Sequence, residues 1–564
     1  MSETNDSLAK EKELLKAVEH KPTSEKLLTY TKLSGPGWLQ GAITLGGGSL
    51  GGSLYLGIIG GTELLWLQPL MMIFGVLMLS VIGYVTLSTG KKPFQAINEH
   101  INPVLGWGWL IAAMLANLVW AMPQFSLGTA ALQQNLGVVP EGDSGKYIGA
   151  ALLFIVGTVV VLMYDSKWAK YFEIILKIMV GIVVLSFFGV VAVMASELNW
   201  GAILKGFIPN FSMLLQPSSE LSKVVEQSSE PEYWNKVIID QQRFKMVTAA
   251  ATAVGINMTF LLPYSMLRKG WGKEHRGLAT FDLGIGLFIP FFLATTCVMI
   301  AAASQFHGKY NVGLIDPSSK VEIPSKIQKG YNENLSKFQA HLIKQIQLNA
   351  KTTGKGGEPY INAADKKLAA MLVERDAFQL ADSLENLTKS KTISQTVFGI
   401  GVLGMAVSTI IILMLINGFC LSEALGSGLS GPVHKLGSIL PGITGALGFL
   451  FIWGTEKAGF LLVVPTSVFG MVLLPIAYLT FFFMINSKEL LGDSLPKGGK
   501  RVALNLAIGL ALFASTIGAG WAIWDKAGTK GFIGVGVFLL LALGGHCYLK
   551  LNQKLDRIET KLGK

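Results

Sequence analysis

Apolar runs of about twenty residues, the length an α-helix needs to cross the hydrocarbon core of a bilayer, alternate along this chain with short polar connections. Charges gather in the connections rather than along helix faces. Twelve spans are predicted, over residues 37–60, 64–88, 108–136, 147–164, 171–195, 246–266, 281–303, 393–420, 437–454, 459–485, 502–524 and 531–549. Two of them are interrupted. Gly46-Gly47-Gly48-Ser49 breaks the first, and the stretch from Gly255 to Pro263 breaks the sixth. Free backbone N–H and C=O groups are tolerated at membrane depth only where they are buried in protein or line a polar cavity. The paired interruptions therefore point to a transport site.

Their positions also predict an internal symmetry. The broken spans are the first and the sixth, so each opens a block of five helices, and an odd number gives consecutive blocks opposite orientations in the membrane. That is the inverted-repeat arrangement of many secondary transporters, in which two discontinuous helices form the site between them. The expected fold is an all-α polytopic membrane protein with a LeuT-like 5+5 inverted repeat and two peripheral helices. The expected organisation is an N-terminal segment over 1–34, a first repeat over 35–195, a loop over 196–245, a second repeat over 246–485 and a peripheral region over 486–564. The second repeat carries a polar insertion at 304–391, where Ala363 to Leu387 has apolar residues at helical spacing and predicts a small helical subdomain.

Composition agrees with this class. Apolar residues make up 51% of the chain and charged residues 15%, against about a quarter charged in soluble domains. The net charge of +11 invites a nucleic-acid reading that its distribution excludes. Lys91 and Lys92, Lys167 and Lys170, Arg268 to Arg276, and Lys497 to Arg501 fall at alternate connections. This is the positive-inside pattern, which places both termini in the cytoplasm of a cell-membrane protein and the 196–245 and 304–391 segments outside. Cys297, Cys420 and Cys547 lie in or beside spans and form no disulfide framework. The first thirty residues lack the pattern of a signal peptide. No zinc, phosphate-loop or nucleophile motif is present, so neither an enzyme nor a cofactor is expected. The expected partners are a small solute or ion, the lipid bilayer and a coupling ion.

Ser34-Gly35-Pro36-Gly37-Trp38, the glycine-rich break, Leu64-Leu65-Trp66 and Leu87-Ser88-Thr89-Gly90 resemble, at the same spacing, the first two helices of the NRAMP divalent-metal transporters. Leu262-Pro263-Tyr264, where that family has Met-Pro-His, extends the resemblance, as do Leu474-Pro475 and Asn486 to Gly492. The resemblance implies a metal held by an Asp and an Asn from the first break, and by a carbonyl and a Met thioether from helix six, with proton coupling. The matching positions here are Gly46, Gly47, Gly48 and Ser49, then Thr259 and Leu262. Tyr264 stands at the family's His, and Asn117 and Gln124 are the polar residues where the third helix would carry acids.

A dehydrated divalent cation is normally offset by carboxylates, and softer metals favour imidazole or sulfur. Thr44, Ser49, Asn257, Thr259 and Tyr264 offer only hydroxyls, an amide and carbonyls. The reading from residues is thus a secondary transporter working by alternating access, carrying a metal ion or other small solute, and unlike a conventional proton-coupled transition-metal carrier. Two alternatives stay open: a carrier of a zwitterionic or anionic solute seated on the N–H groups of Gly46 to Gly48, or a non-transporting sensor of the same fold. The three glycines equally suit close helix packing. Asn257 either lines the cavity or caps freed backbone, Tyr264 either meets substrate or anchors its half-helix, and Asn117 and Gln124 either reach substrate or bond neighbouring helices. With the family's proton carriers missing, transport is expected either to be uncoupled from protons or to use a different ion held by carbonyls and hydroxyls, Na⁺ being the obvious candidate and H⁺ the alternative. Glu63, Asp282 and Glu423 fall at span ends and are expected at the membrane interface.

Overall fold

A computed structural model describes residues 2–316, 318–319, 323–353, 358–375, 377–383, 390–452 and 456–561. The described residues form helices and connections, with no strand among them. Among the described residues eight helices are long and apolar enough to cross a membrane, and up to ten spans result if each bent pair counts as one. One bent pair is Pro36–Thr44 with Gly47–Leu64, at 53°. Helix Pro432–Phe451 fills the ninth expected place without being among these.

The last two expected spans are merged into Gly498–Lys561, where Gly528 has φ 52° and ψ −141°. A Cβ on Gly531 would lie 2.5 Å from the side chain of Ile523, whereas residues eight apart in a straight helix are separated by about 12 Å. The chain therefore turns back at Gly528. Its returning limb reaches Asn102, whose Nδ2 donates to the Ala542 carbonyl (2.7 Å), and Gln553 donates to the Glu99 carbonyl (3.3 Å).

The first span is two half-helices, Pro36–Thr44 and Gly47–Gly60. The second and third spans are Leu67–Thr89 and Pro103–Ala130, and the eighth is Lys391–Ala424. The sixth begins at Pro231, well before residue 246, as Pro231–Ala251, and resumes as Ile256–Arg268. Its opening turns, PEYWNKVIIDQQRFK, are polar and so escape a reading by hydropathy. They are ordered by Pro at N1, where its missing N–H costs nothing, and by burial of Trp234 and Ile238 against the insertion.

That insertion contains Ser325–Thr353, Ala363–Met371 and Ala377–Ser383; residues 384–387 of the expected subdomain lie outside the described residues. Its own core joins Phe338, Tyr331 and Leu368 to Trp234, Leu221 and Ile59. Asp365 is the polar hinge-pin: it accepts from Trp234 Nε1 (2.9 Å) and Ser229 Oγ (2.6 Å) while Asn362 caps its helix.

The start of the first span is tied to the second repeat. The Asp282 carboxylate accepts from the N–H groups of Gly35 (3.0 Å) and Gly37 (2.6 Å), satisfying donors that a helix N-terminus leaves free. Asp282 is therefore buried, not exposed at an interface, and a Cβ on Gly37 would lie 2.1 Å from its carbonyl oxygen. Glu423 is also buried and pairs with Lys92 at 2.6 Å. At the same end of the sixth span Arg268 pairs with Asp165 (2.6 Å), whose other oxygen meets His434 Nδ1 (2.8 Å).

Candidate transport site at the two helix breaks

The first break is short. Helix Pro36–Thr44 closes with Leu45 at φ −78°, ψ 64°, and Gly46 is extended at φ −121°, ψ −178° before Gly47 restarts the helix. None of these angles demands glycine. What demands it is space: a Cβ on Gly46 would lie 2.4 Å from Thr409 Oγ1, on Gly47 3.0 Å from Leu127, and on Gly48 3.2 Å from Thr252. The three glycines let three other helices approach the break.

The second break lies at Thr252 to Gly255, with Gly255 extended at φ −80°, ψ 159°. Pro263 is not part of it and sits inside Ile256–Arg268. The two breaks face each other. Thr44 Oγ1 is 3.4 Å from the Ala253 carbonyl oxygen and 3.0 Å from Met258 Sδ. The same sulfur receives the Gly255 N–H at 3.4 Å. One turn before Thr44, Gln40 Nε2 donates to the Met258 carbonyl (3.1 Å), and Gln40 Oε1 is buried with no partner.

Around this contact the expected polar residues take distinct places. Asn257 Nδ2 donates to Asn117 Oδ1 (3.0 Å) and its own Oδ1 accepts the Met258 N–H (2.9 Å), so it both caps freed backbone and binds the third span. Asn117 Nδ2 remains buried without a partner. Gln124 Oε1 accepts the Gly47 N–H at 2.9 Å. Ser49 donates to the Gly46 carbonyl (2.9 Å), and its own carbonyl accepts from Ser53 (2.7 Å). Thr259 accepts from Trp109 Nε1 (2.9 Å) and donates to the Ile256 carbonyl.

Leu262 and Tyr264 are not brought into this group. Leu262 is buried beside Gly83 of the second span. The Tyr264 hydroxyl accepts the Phe94 N–H at 3.3 Å, and its ring stacks on Phe260 with centroids 4.5 Å apart. That is an anchoring position.

Two features escape a reading from sequence. Met258 sits at the junction of the breaks although the family resemblance directs attention to position 262. Its only signal is a polarizable side chain directly following Asn257. Ser408 and Thr409 of the eighth span are the second: Ser408 Oγ donates to the Ala42 carbonyl (2.8 Å), and Thr409 Oγ1 lies 3.4 Å from the Ile43 carbonyl oxygen. Adjacent hydroxyls in an apolar run were their signal. Among the described residues no group of three or more His, Cys, Asp and Glu is placed to hold a metal.

Comparison with solved structures finds the same fold in the manganese transporter of Eremococcus coleocola in complex with an aromatic bis-isothiourea substituted compound. Identity is 13%, the match covers 94% of this chain and 96% of that one, and the TM-score is 0.62. A mutant of the same transporter matches with 13% identity, the same coverages and a TM-score of 0.63. No curated protein matches the chain. The family model described as natural resistance-associated macrophage protein-like matches residues 37–320 and 362–520. With most of the chain covered by that model, the protein belongs to the Nramp family, a family of transporters and not of enzymes.

Proposed function

We propose that this chain moves a metal ion across the cell membrane by alternating access around the two breaks, with both termini in the cytoplasm and the 304–391 insertion outside. The observation that carries this reading is the meeting of the Thr44 hydroxyl, the Ala253 carbonyl and the Met258 thioether between the breaks. Unwound backbone at the junction of two discontinuous helices is the usual place for an ion in such folds. Family membership supports a metal ion as the class of cargo, and the fold relative is a manganese transporter.

The donor set argues for the kind of metal. A thioether favours softer ions over Mg²⁺ and Ca²⁺, which take all-oxygen shells. With no carboxylate at the junction, nothing offsets the charge of a bare divalent ion. The reading is therefore a low-affinity site for a partly hydrated transition-metal ion. The anionic-solute alternative is not favoured, because Gln124 already occupies the Gly47 N–H that such a solute would need.

Uptake by reconstituted vesicles tests the proposal. Cd²⁺ and Mn²⁺ are expected to enter faster than Mg²⁺ and Ca²⁺, with half-saturation well above the micromolar range. No uptake of any of the four, alongside binding of one, would support the sensor reading. Tight Mn²⁺ binding abolished by Ser49→Ala would move the site to the first break alone.

A further inference from the structure

The connection between the fifth and sixth spans begins as an apolar strip. From Leu198 to Ser219 its only charge is Lys205. It folds as the short helix Trp200–Lys205 and the turn Phe211–Leu214. Ile203 and Met213 are buried beneath it, whereas Trp200, Leu204, Ile208, Phe211 and Leu215 are exposed. Leu204 is 69% and Leu215 74% exposed, as open as Leu185 at 71% on the fifth span, Ala169–Met194. The strip thus continues the exposed apolar surface of the span that leads into it, and a contiguous patch of that kind marks an interaction surface.

The backbone of the strip is met by protein. Trp66 N–H donates to the Gly206 carbonyl (2.9 Å). Gln242 Nε2 donates to the carbonyls of Met213 (2.8 Å) and Gln216 (2.9 Å), and Arg243 Nε to that of Leu214 (2.7 Å). Asn210 Oδ1 accepts the Ser212 N–H at 3.2 Å. A loop in water has no need of such partners, but one against lipid does, because irregular backbone is tolerated there only where protein satisfies it. Phe207 supplies the depth. Its ring centroid is 5.6 Å from that of Phe292, which stands in helix Ile289–Phe306 of the seventh span, about 21 Å from the end of that helix at the usual rise per residue. If two turns, about 11 Å, project beyond the bilayer, the contact still falls within a hydrocarbon core about 30 Å thick.

We infer that residues 198–216 are seated in the bilayer leaflet on the insertion's side, with Trp200, Leu204, Ile208, Phe211 and Leu215 against lipid acyl chains. Trp200 Nε1 donates to the Ala195 carbonyl at the end of the fifth span (3.0 Å), so its ring enters lipid with its polar group satisfied. Lys205 is exposed and extends its ammonium toward the headgroups, as long cationic side chains do at an interface. The seat divides the 196–245 connection. Beyond Ser219 the chain is polar, and Leu221 and Val225 turn into the insertion's core. The strip also holds both broken spans. Trp66 closely follows Gly47–Gly60, and Gln242 and Arg243 belong to Pro231–Ala251. Lipid packed against the strip thus bears on the two helices whose far ends form the breaks.

The test uses the full chain reconstituted in phospholipid vesicles, in a Cys547→Ser background. Nitroxide labels are placed through Leu204→Cys, Ile208→Cys and Leu215→Cys, all at exposed positions, with Ser336→Cys on the insertion as the aqueous reference. Power-saturation paramagnetic resonance reads the collision of each label with O₂, which concentrates in hydrocarbon, and with a nickel chelate, which stays in water. The ratio of O₂ to nickel collisions should be several-fold higher at the three strip positions than at the reference. A ratio at 204 and 215 equal to the reference would place the strip in water and overturn the seat. Low collision with both reagents would also overturn it, since protein would then cover the strip, and dipolar broadening between labels would identify that cover as a second copy of the chain.

Discussion

The hydroxyl of Thr44 lies 3.0 Å from the sulfur of Met258, 214 positions away in the chain. Both side chains belong to residues flanking a break, one at the end of a half-helix and the other at the start of one. The contact joins the two broken spans, and in the proposed site it would supply the soft donor that position 262 lacks.

Replacing Met258 with Leu keeps the volume and removes the sulfur. Volume-conserving swaps in a packed interior cost under about 1.5 kcal/mol, so the protein should fold. Uptake of Cd²⁺ should fall by about tenfold, equivalent to about 1.4 kcal/mol, with a smaller loss for Mn²⁺. Tracer flux into vesicles measures both, and equal rates for variant and parent would remove Met258 from the site.

Tyr264 holds the place of the family's histidine yet faces the Phe94 N–H. Tyr264→Phe should therefore leave the pH dependence of uptake unchanged and cost about 1 kcal/mol of stability for one lost hydrogen bond. Uptake under an imposed pH gradient and under a Na⁺ gradient separates the two coupling schemes. Substrate-dependent acidification without a Na⁺ requirement would show protons moving by another route.

Much of this architecture is written in hydropathy and spacing. The apolar runs mark the spans, and Gly46 to Gly48 mark the first break because consecutive glycines in a span are so evident. The second break is harder to see. Thr252-Ala253-Val254-Gly255 carries one glycine, whereas Pro263 advertises a break that it does not make, since a proline within a membrane helix is tolerated when neighbours satisfy the freed backbone. The opening of the sixth span is invisible to hydropathy because Trp234 and Ile238 bury against the insertion, a contact distant in sequence. Met258 was hidden for a similar reason: an apolar residue in an apolar run reads as packing until its partner across the breaks is known.

The orientation proposed from the basic connections is tested by labelling. In a Cys547→Ser background, Lys167→Cys and Arg276→Cys should be protected from an impermeant thiol reagent in intact cells. Ser336→Cys, exposed on the insertion, should react. Labelling at position 276 from outside would reverse the assignment.

Asp165 gives the pH dependence of stability. Burial pushes its carboxyl up, but the hydrogen bond and charge of His434 and the Arg268 guanidinium outweigh that and hold it below the usual carboxylate range. A folded-state value below the unfolded one, near 3.9, contributes stability above about pH 4 that is lost as the pH falls further. Asp165→Asn should lose about 2–3 kcal/mol at neutral pH, a buried-pair loss reduced because Arg268 is partly exposed. It should also flatten the acid limb of the melting profile, and an acid limb as steep as the parent's would assign it to other groups.

Lys245 of the sixth span salt-bridges Glu374 of the insertion (2.9 Å) and stands 3.8 Å above the ring of Tyr55 in the first span, while Asp365 clasps Trp234. With Ile59 of the first span also packed in the insertion's core, the insertion grips both broken helices away from their breaks. Tilting Pro231–Ala251 against Gly47–Gly60 must shear Lys245 from one of its neighbours or drag the whole insertion along as ballast. An antibody fragment seated across the insertion is expected to act as a brake on the proposed cycle, applied from the insertion's side of the membrane without touching the junction of the breaks.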